Sequence, residues 1–175
     1  AALNTGFTRV SGDLLTWTSD DNLFRPHALA EMVAFLQAHP DVDVVYTDYS
    51  EINDAGQVVR HCRVSPVEEL AVQNCIGPSF LYRRAVHERV GGYAEDLFLA
   101  EDYDFWLRAS EHHQLERLAV DCYLYRVHAG SLTARRARDI EAARAQAQFR
   151  NLARLHWMGT TTQAHAYLSL SLRLC

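Results

Sequence analysis

Cysteine is scarce: Cys62, Cys75, Cys122 and Cys175 are the only four in 175 residues, and no two form a C-x-x-C pair. Such scattering argues against a disulfide framework or a cysteine-built zinc site, and it fits reduced thiols in a cytoplasmic protein. No apolar run approaches the roughly 20 residues that a membrane-crossing helix needs. A glycine loop of the G-x-x-x-x-G-K type is missing too, which removes the commonest phosphate cradle. Positive charge is in short supply: 17 basic residues stand against 22 acidic ones, for a net charge of −5. With many of the arginines in one late helical segment, no basic face is left for nucleic acid, and nucleic acid is not an expected partner. There is no low-complexity tract and no internal repeat. What the chain does have is 49% apolar residues and three tryptophans, enough for a domain with a real core.

The stretch Leu14-Leu15-Thr16-Trp17-Thr18-Ser19-Asp20-Asp21-Asn22 is an apolar run that stops at two adjacent carboxylates. It reads as a strand over 14–18 with Asp20 and Asp21 at its carboxyl end, where open α/β sheets bind ligands. Ser, Asp and Asn before a helix are also ordinary caps, so these residues alone leave both readings open. A helix is expected from Pro26 to Gln37, with Leu29, Met32, Val33 and Leu36 on its buried face. Val42, Val44 and Val45 begin a second strand over 42–47, and strand, helix and strand together predict a parallel βαβ unit. Residues 47–52 and 57–60 flank an Asn-Asp-Ala-Gly turn and read as a hairpin, with Asp48 expected to be solvated. A short helix is expected over 66–72, and another over 84–90 closed by Gly91-Gly92.

A second acidic cluster, Glu101, Asp102 and Asp104, opens a helix that continues through Phe105, Leu107 and Arg108. The helix dipole favours acids there without any function, while the neighbouring Trp106 suits a pocket wall that would raise a carboxylate's basicity. Strands are expected over 115–118 and 122–128, the second ending at His128, and a long helix over 139–157 with Phe149 and Leu152 facing inward. Leu168, Leu170, Leu172 and Leu174 alternate with polar residues, a pattern that leaves strand and helix open.

Taken in order, Asn4-Thr5-Gly6, Thr18-Ser19-Asp20-Asp21, Val90-Gly91-Gly92-Tyr93, Glu101-Asp102-Tyr103-Asp104-Phe105-Trp106-Leu107-Arg108 and Tyr125-Arg126-Val127-His128 resemble the family 2 glycosyltransferases of the GT-A fold. The resemblance implies an α/β fold, a GT-A-like mixed sheet flanked by helices. It assigns residues 1–133 to a partial GT-A domain and 134–175 to a C-terminal helical extension. The family's N-terminal nucleotide-binding strands have no counterpart here, so the chain is expected to be truncated at its N-terminus. Implied, too, is transfer of a sugar from a nucleotide-sugar donor to a hydroxyl of a glycan, polysaccharide or lipid-linked acceptor, metal-dependent and inverting. Asp20 and Asp21 would bind ribose and Mg²⁺ or Mn²⁺, with His128 near the metal. Asp102 would be the catalytic base, and Glu101 would orient acceptor or loop. Thr18 stands where many relatives carry the first aspartate of an Asp-x-Asp motif, which leaves the tandem pair to serve. A cytoplasmic site with peripheral membrane contact accompanies this reading. Its rivals are a non-catalytic glycan- or partner-binding module on the same scaffold and a metal-dependent phosphohydrolase.

Overall fold

The computed structural model describes residues 2–157 and 159–174, so Cys175 lies outside the described residues. Helix α1 (Ala2–Phe7) leads into β1 (Leu14–Leu15), and a turn carries the chain to β2 (Leu23–Phe24) and α2 (Ala28–Ala38). Strands β3 (Val44–Ile52) and β4 (Val58–Cys62) form the expected hairpin. A 3-10 turn at Val67–Ala71 precedes β5 (Phe80–Arg83), α3 (Arg84–Val90), α4 (Glu101–Ala109) and the long β6 (Leu115–Arg126). The chain finishes with α5 (Leu132–Arg135), α6 (Ala137–Asn151), a 3-10 stretch at Leu152–Trp157 and α7 (Thr160–Leu174), so helix is the form taken by the ambiguous 168–174 pattern.

The mixed sheet runs β1-β5-β3-β6-β2, with β4 on the distal half of β3. β1 and β3 run in the same direction, as the parallel βαβ reading expects, but they are not neighbours. β5 lies between β1 and β3, antiparallel to both, and the parallel partner of β3 is β6, reached by a crossover through α3 and α4. Aromatic burial explains the insertion. Phe80 and Tyr82 of β5 are buried against Trp106 of α4, with ring centroids 4.8 and 5.8 Å apart. Burying such side chains stabilises the fold by about 1.5–3 kcal/mol each, which the two-residue β1 could not match as a direct neighbour of β3.

Alternation along β3 divides the core between the two faces of the sheet. Val44 and Tyr46 join Trp106, Phe105 and Leu107 on one face, and Val45 joins Met32 and Leu36 of α2 on the other. The buried stripe of α2 is Ala28, Met32 and Leu36, while Leu29, expected inside, is 48% exposed. The two strands expected over 115–118 and 122–128 are one strand, whose register against β3 shifts on either side of Asp48. At that irregularity Asp48 is not solvated: it accepts from the Arg117 guanidinium at 2.9 and 3.0 Å and from the Val64 N–H at 3.0 Å.

The helix expected over 139–157 gives way to 3-10 geometry at Leu152, with Leu155 at φ −84° and ψ 21°. Phe149, expected inside, is 65% exposed, and its neighbour Gln148 is the buried residue. The Gln148 amide donates to the carbonyls of Ala71 and Ala166, so a polar side chain holds a core position by bonding backbone of the 3-10 turn and of α7. Gly91 closes α3 at φ 82°, in the left-handed conformation that glycine adopts at no steric cost.

Candidate active site

The strand expected over 14–18 ends at Leu15, and side chains rather than ladder bonds hold the next residues. Thr16 Oγ1 donates to the Phe80 carbonyl at 2.7 Å, Trp17 Nε1 donates to the Tyr93 hydroxyl at 2.9 Å, and the Thr18 and Tyr123 hydroxyls share a hydrogen bond at 2.6 Å. Asp20 and Asp21 follow in the turn between β1 and β2. That turn is clamped to the end of β6. Asn22 is buried and its Oδ1 accepts from the Arg126 N–H at 2.8 Å, while Arg126 Nε donates to the Asp21 carbonyl at 3.0 Å.

The clamp brings the Asp21 carboxylate to His128, with Oδ2 and Nε2 3.3 Å apart and both side chains about a third exposed, at 37% and 30%. Asp20 is exposed on the same turn. Among the described residues no three His, Cys, Asp or Glu side chains converge as a metal-holding group, and Asp21 and His128 stand together as a pair. A pair suits Mg²⁺ or Mn²⁺. Adjacent ligands of an octahedral ion at about 2.1 Å stand roughly 3 Å apart, and such ions commonly take one or two protein carboxylates and complete their shell with phosphates and water.

The three acids that open α4 have different surroundings. Asp104 is 1% exposed and accepts from Arg108 Nε at 2.7 Å and Asn151 Nδ2 at 2.9 Å. Arg108 donates onward to the carbonyls of Val90 and Gly92 at 2.5 and 2.7 Å, tying α4 to the double-glycine turn. Asp104 is therefore a structural group. Asp102, two residues earlier, has no cation within ion-pair distance among the described residues. Its Oδ1 accepts from the Tyr103 N–H at 2.7 Å and its Oδ2 from Asn74 Nδ2 at 2.9 Å. Desolvation pushes the Asp102 carboxyl above the usual carboxylate range, opposed by the hydrogen bond from Tyr103 and reinforced by the charge of Glu101. Glu101 Oε2 is buried with no hydrogen-bond partner among the described residues. Sequence reasoning misses Asn74, because a single asparagine in a loop carries no spacing signal.

Tyr93 links the two acidic segments. Its hydroxyl accepts from Trp17, three residues before Asp20, its ring stacks on Phe105 at 4.5 Å, and the Asp102 charge contributes to the upward shift of its phenol, which burial dominates. Trp17 and Trp106 both pack edge-on against Phe80, at 5.7 and 4.8 Å. Aromatic side chains thus run without a break from Trp17, three residues before Asp20, to Phe105 and Trp106 of α4.

The family model described as glycosyl transferase family 2 matches residues 1–91. The chain belongs to that family. Among its relatives, the uncharacterized glycosyltransferase YwdF of Bacillus subtilis is 27% identical over 133 residues, which is 71% of this chain and 49% of YwdF. The O-antigen biosynthesis protein RfbC of Myxococcus xanthus is 28% identical over 117 residues, 63% of this chain and 9% of RfbC. In structure, the family 2 chain superposes on the mannosyltransferase PcManGT of Pyrobaculum calidifontis, solved with GDP-Man and Mn²⁺. The TM-score is 0.60 at 21% identity, covering 99% of this chain and 50% of that one. S. aureus TarS gives a TM-score of 0.61 at 17% identity, covering 98% and 29%. These likenesses establish the GT-A-like fold, and the chain spans half or less of the length of each of these proteins. The family match ends at residue 91, so α4 with Glu101 and Asp102 lies beyond it. No helix among the described residues is long and apolar enough to cross a membrane.

Proposed function

We propose that this family 2 chain holds the diphosphate side and the catalytic base of an inverting, metal-dependent glycosyltransferase. The enzyme would move a sugar from a nucleotide-sugar donor to a hydroxyl of a glycan or lipid-linked acceptor. The observation that carries this is the contrast within α4: Asp104 is neutralised by Arg108, whereas Asp102 is desolvated, held by hydrogen-bond donors at both oxygens and without a cation at ion-pair distance among the described residues, the charge of Arg144 acting on it only from farther off. A carboxylate kept basic and oriented in this way suits proton removal.

In the proposed reaction Asp102 takes the proton of the acceptor hydroxyl as that oxygen bonds to the anomeric carbon. The bond from that carbon to the donor phosphate breaks, and its electron pair leaves with the nucleoside diphosphate. Attack opposite the leaving group inverts the anomeric centre. Asp21 and His128 would hold Mg²⁺ or Mn²⁺, with Asp20 beside them for the metal or ribose, and the ion would supply positive charge to the departing diphosphate. Glu101 would orient the acceptor or its loop.

The test is product formation from a panel of nucleotide-sugar donors by the enzyme and by Asp102→Asn. Loss of a general base predicts a fall in turnover of about a hundredfold to ten-thousandfold with donor binding retained. Near-normal turnover would overturn the assignment.

A further inference from the structure

Three consecutive carbonyls at the end of the 3-10 turn are each capped from a different helix. The Tyr103 hydroxyl donates to the Leu70 carbonyl at 2.8 Å, Gln148 Nε2 to that of Ala71 at 2.8 Å, and Arg173 Nη2 to that of Val72 at 3.0 Å. These bonds fix the path of the chain into Asn74, whose Nδ2 reaches Asp102. The C-terminal helices α6 and α7 therefore help to build the surroundings of the proposed base.

Several side-chain atoms in this neighbourhood are buried with no hydrogen-bond partner among the described residues: the acceptors Asn74 Oδ1, Glu101 Oε2 and Gln148 Oε1, and Arg173 Nη1, a charged donor. Nor does any carboxylate lie within ion-pair distance of Arg173 among the described residues. Leaving such groups buried and unpaired costs about 1–3 kcal/mol each, and more for a charged one, so the fold gains when a ligand satisfies them. Tyr103 and Arg173 cap carbonyls two residues apart, at Leu70 and Val72, and the charge of Arg144 acts on both Tyr103 and Asp102. Arg144 is already engaged by Glu141 at 2.8 Å, so Arg173 is the one left to offer its fork.

We propose that Asn74 and Arg173 form an acceptor subsite beside Asp102, in which Asn74 Oδ1 accepts from a sugar hydroxyl and Arg173 binds an anionic group, phosphate or carboxylate, carried by the same acceptor. The proposal rests on the reading of Asp102 as the base, and it assigns the acceptor to the charged glycans. A guanidinium fork suits either oxyanion, because it can donate two parallel hydrogen bonds.

The experiment is an NMR titration of the chain, with UDP and Mg²⁺ present, using glucose 6-phosphate, glucuronate and glucose and following the Asn74 side-chain amide. At least one anionic sugar is expected to bind about tenfold tighter than glucose, as a charge-assisted hydrogen bond to arginine allows. A response to glucose 6-phosphate alone assigns phosphate, and a response to glucuronate assigns carboxylate. Arg173→Gln should erase the preference, and Arg173→Lys, which keeps the charge and loses the fork, should leave it reduced. Equal affinities in the wild-type chain, or a preference that survives Arg173→Gln, would overturn the subsite. Asp102→Asn separates the two readings: preference retained with transfer lost supports both, and preference retained with transfer unchanged removes the base while keeping the subsite.

Discussion

Asp102 and Asp104 sit two residues apart on one helix, and their replacement should have opposite consequences. Asp104→Ala removes the acceptor for Arg108 and Asn151, leaving a guanidinium that is 18% exposed and an amide that is fully buried. Breaking one side of a buried pair costs about 3–5 kcal/mol. Arg108 keeps the Val90 and Gly92 carbonyls, so the lower end applies, about 3 kcal/mol. For a domain of this size that lowers the midpoint of thermal unfolding by roughly 6–12 °C.

Asp102→Asn removes a charge that desolvation disfavours while weakening the bond from Asn74, two effects that oppose each other and leave stability within about 1 kcal/mol of wild type. The sign follows from linkage. A carboxyl whose pKa is raised on folding binds protons more readily in the folded state, so its contribution is full in acid and is lost as pH rises through the folded value. The uncharged Asn variant should therefore lose less stability than wild type between acid and neutral pH. Calorimetry and urea melts of both variants decide the matter. A loss below about 1 kcal/mol for Asp104→Ala would refute the division of labour along α4, and so would equal losses for the two variants.

Other outcomes can be checked alongside. Gly92→Ala forces a side chain to φ 84° and sets its Cβ 3.0 Å from Asn4 Oδ1, which holds the Tyr93 N–H; about 1–2 kcal/mol of strain should appear in urea melts. His87 packs among Phe7, Tyr82 and Phe105, and burial, with Arg84 adding to it, lowers its pKa. Because the unfolded chain then binds the proton more tightly, stability should fall as pH drops below about 6.5, and His87→Phe should flatten that slope in melts across the range. Asp21→Ala and His128→Ala should each weaken Mn²⁺ binding in the presence of a nucleoside diphosphate by about tenfold or more in calorimetric titration, and unchanged isotherms would remove the pair from the metal.

Much of this architecture could be read from local pattern. The β3–β4 hairpin, α3 with its double-glycine stop and α4 with its acidic first turn all rest on interactions within a few residues, and each forms where the sequence places it. What the pattern could not carry is the choice of distant partners. The pairing of β1 depends on residues 82 and 83, and the parallel partner of β3 begins at Leu115, so no window around residues 14–47 contains that information. Helix faces differ from the expected ones at two places: Ala28 rather than Leu29 is buried in α2, and in α6 Gln148 rather than Phe149 is buried, its amide donating to the Ala71 and Ala166 carbonyls. The acids at 20, 21, 101 and 102 stand out in the sequence, whereas Asn74 and Arg173 emerge only when the fold brings loop and tail to α4.

The central claim is that the first acidic turn and the start of α4 serve one reaction centre. A crystal structure of the protein with Mn²⁺ and a nucleoside diphosphate tests it most directly. An anomalous peak bound by Asp21 and His128, with the diphosphate on the side that faces Asp102, is the predicted result; a metal held elsewhere, or a diphosphate on a surface remote from α4, would contradict it.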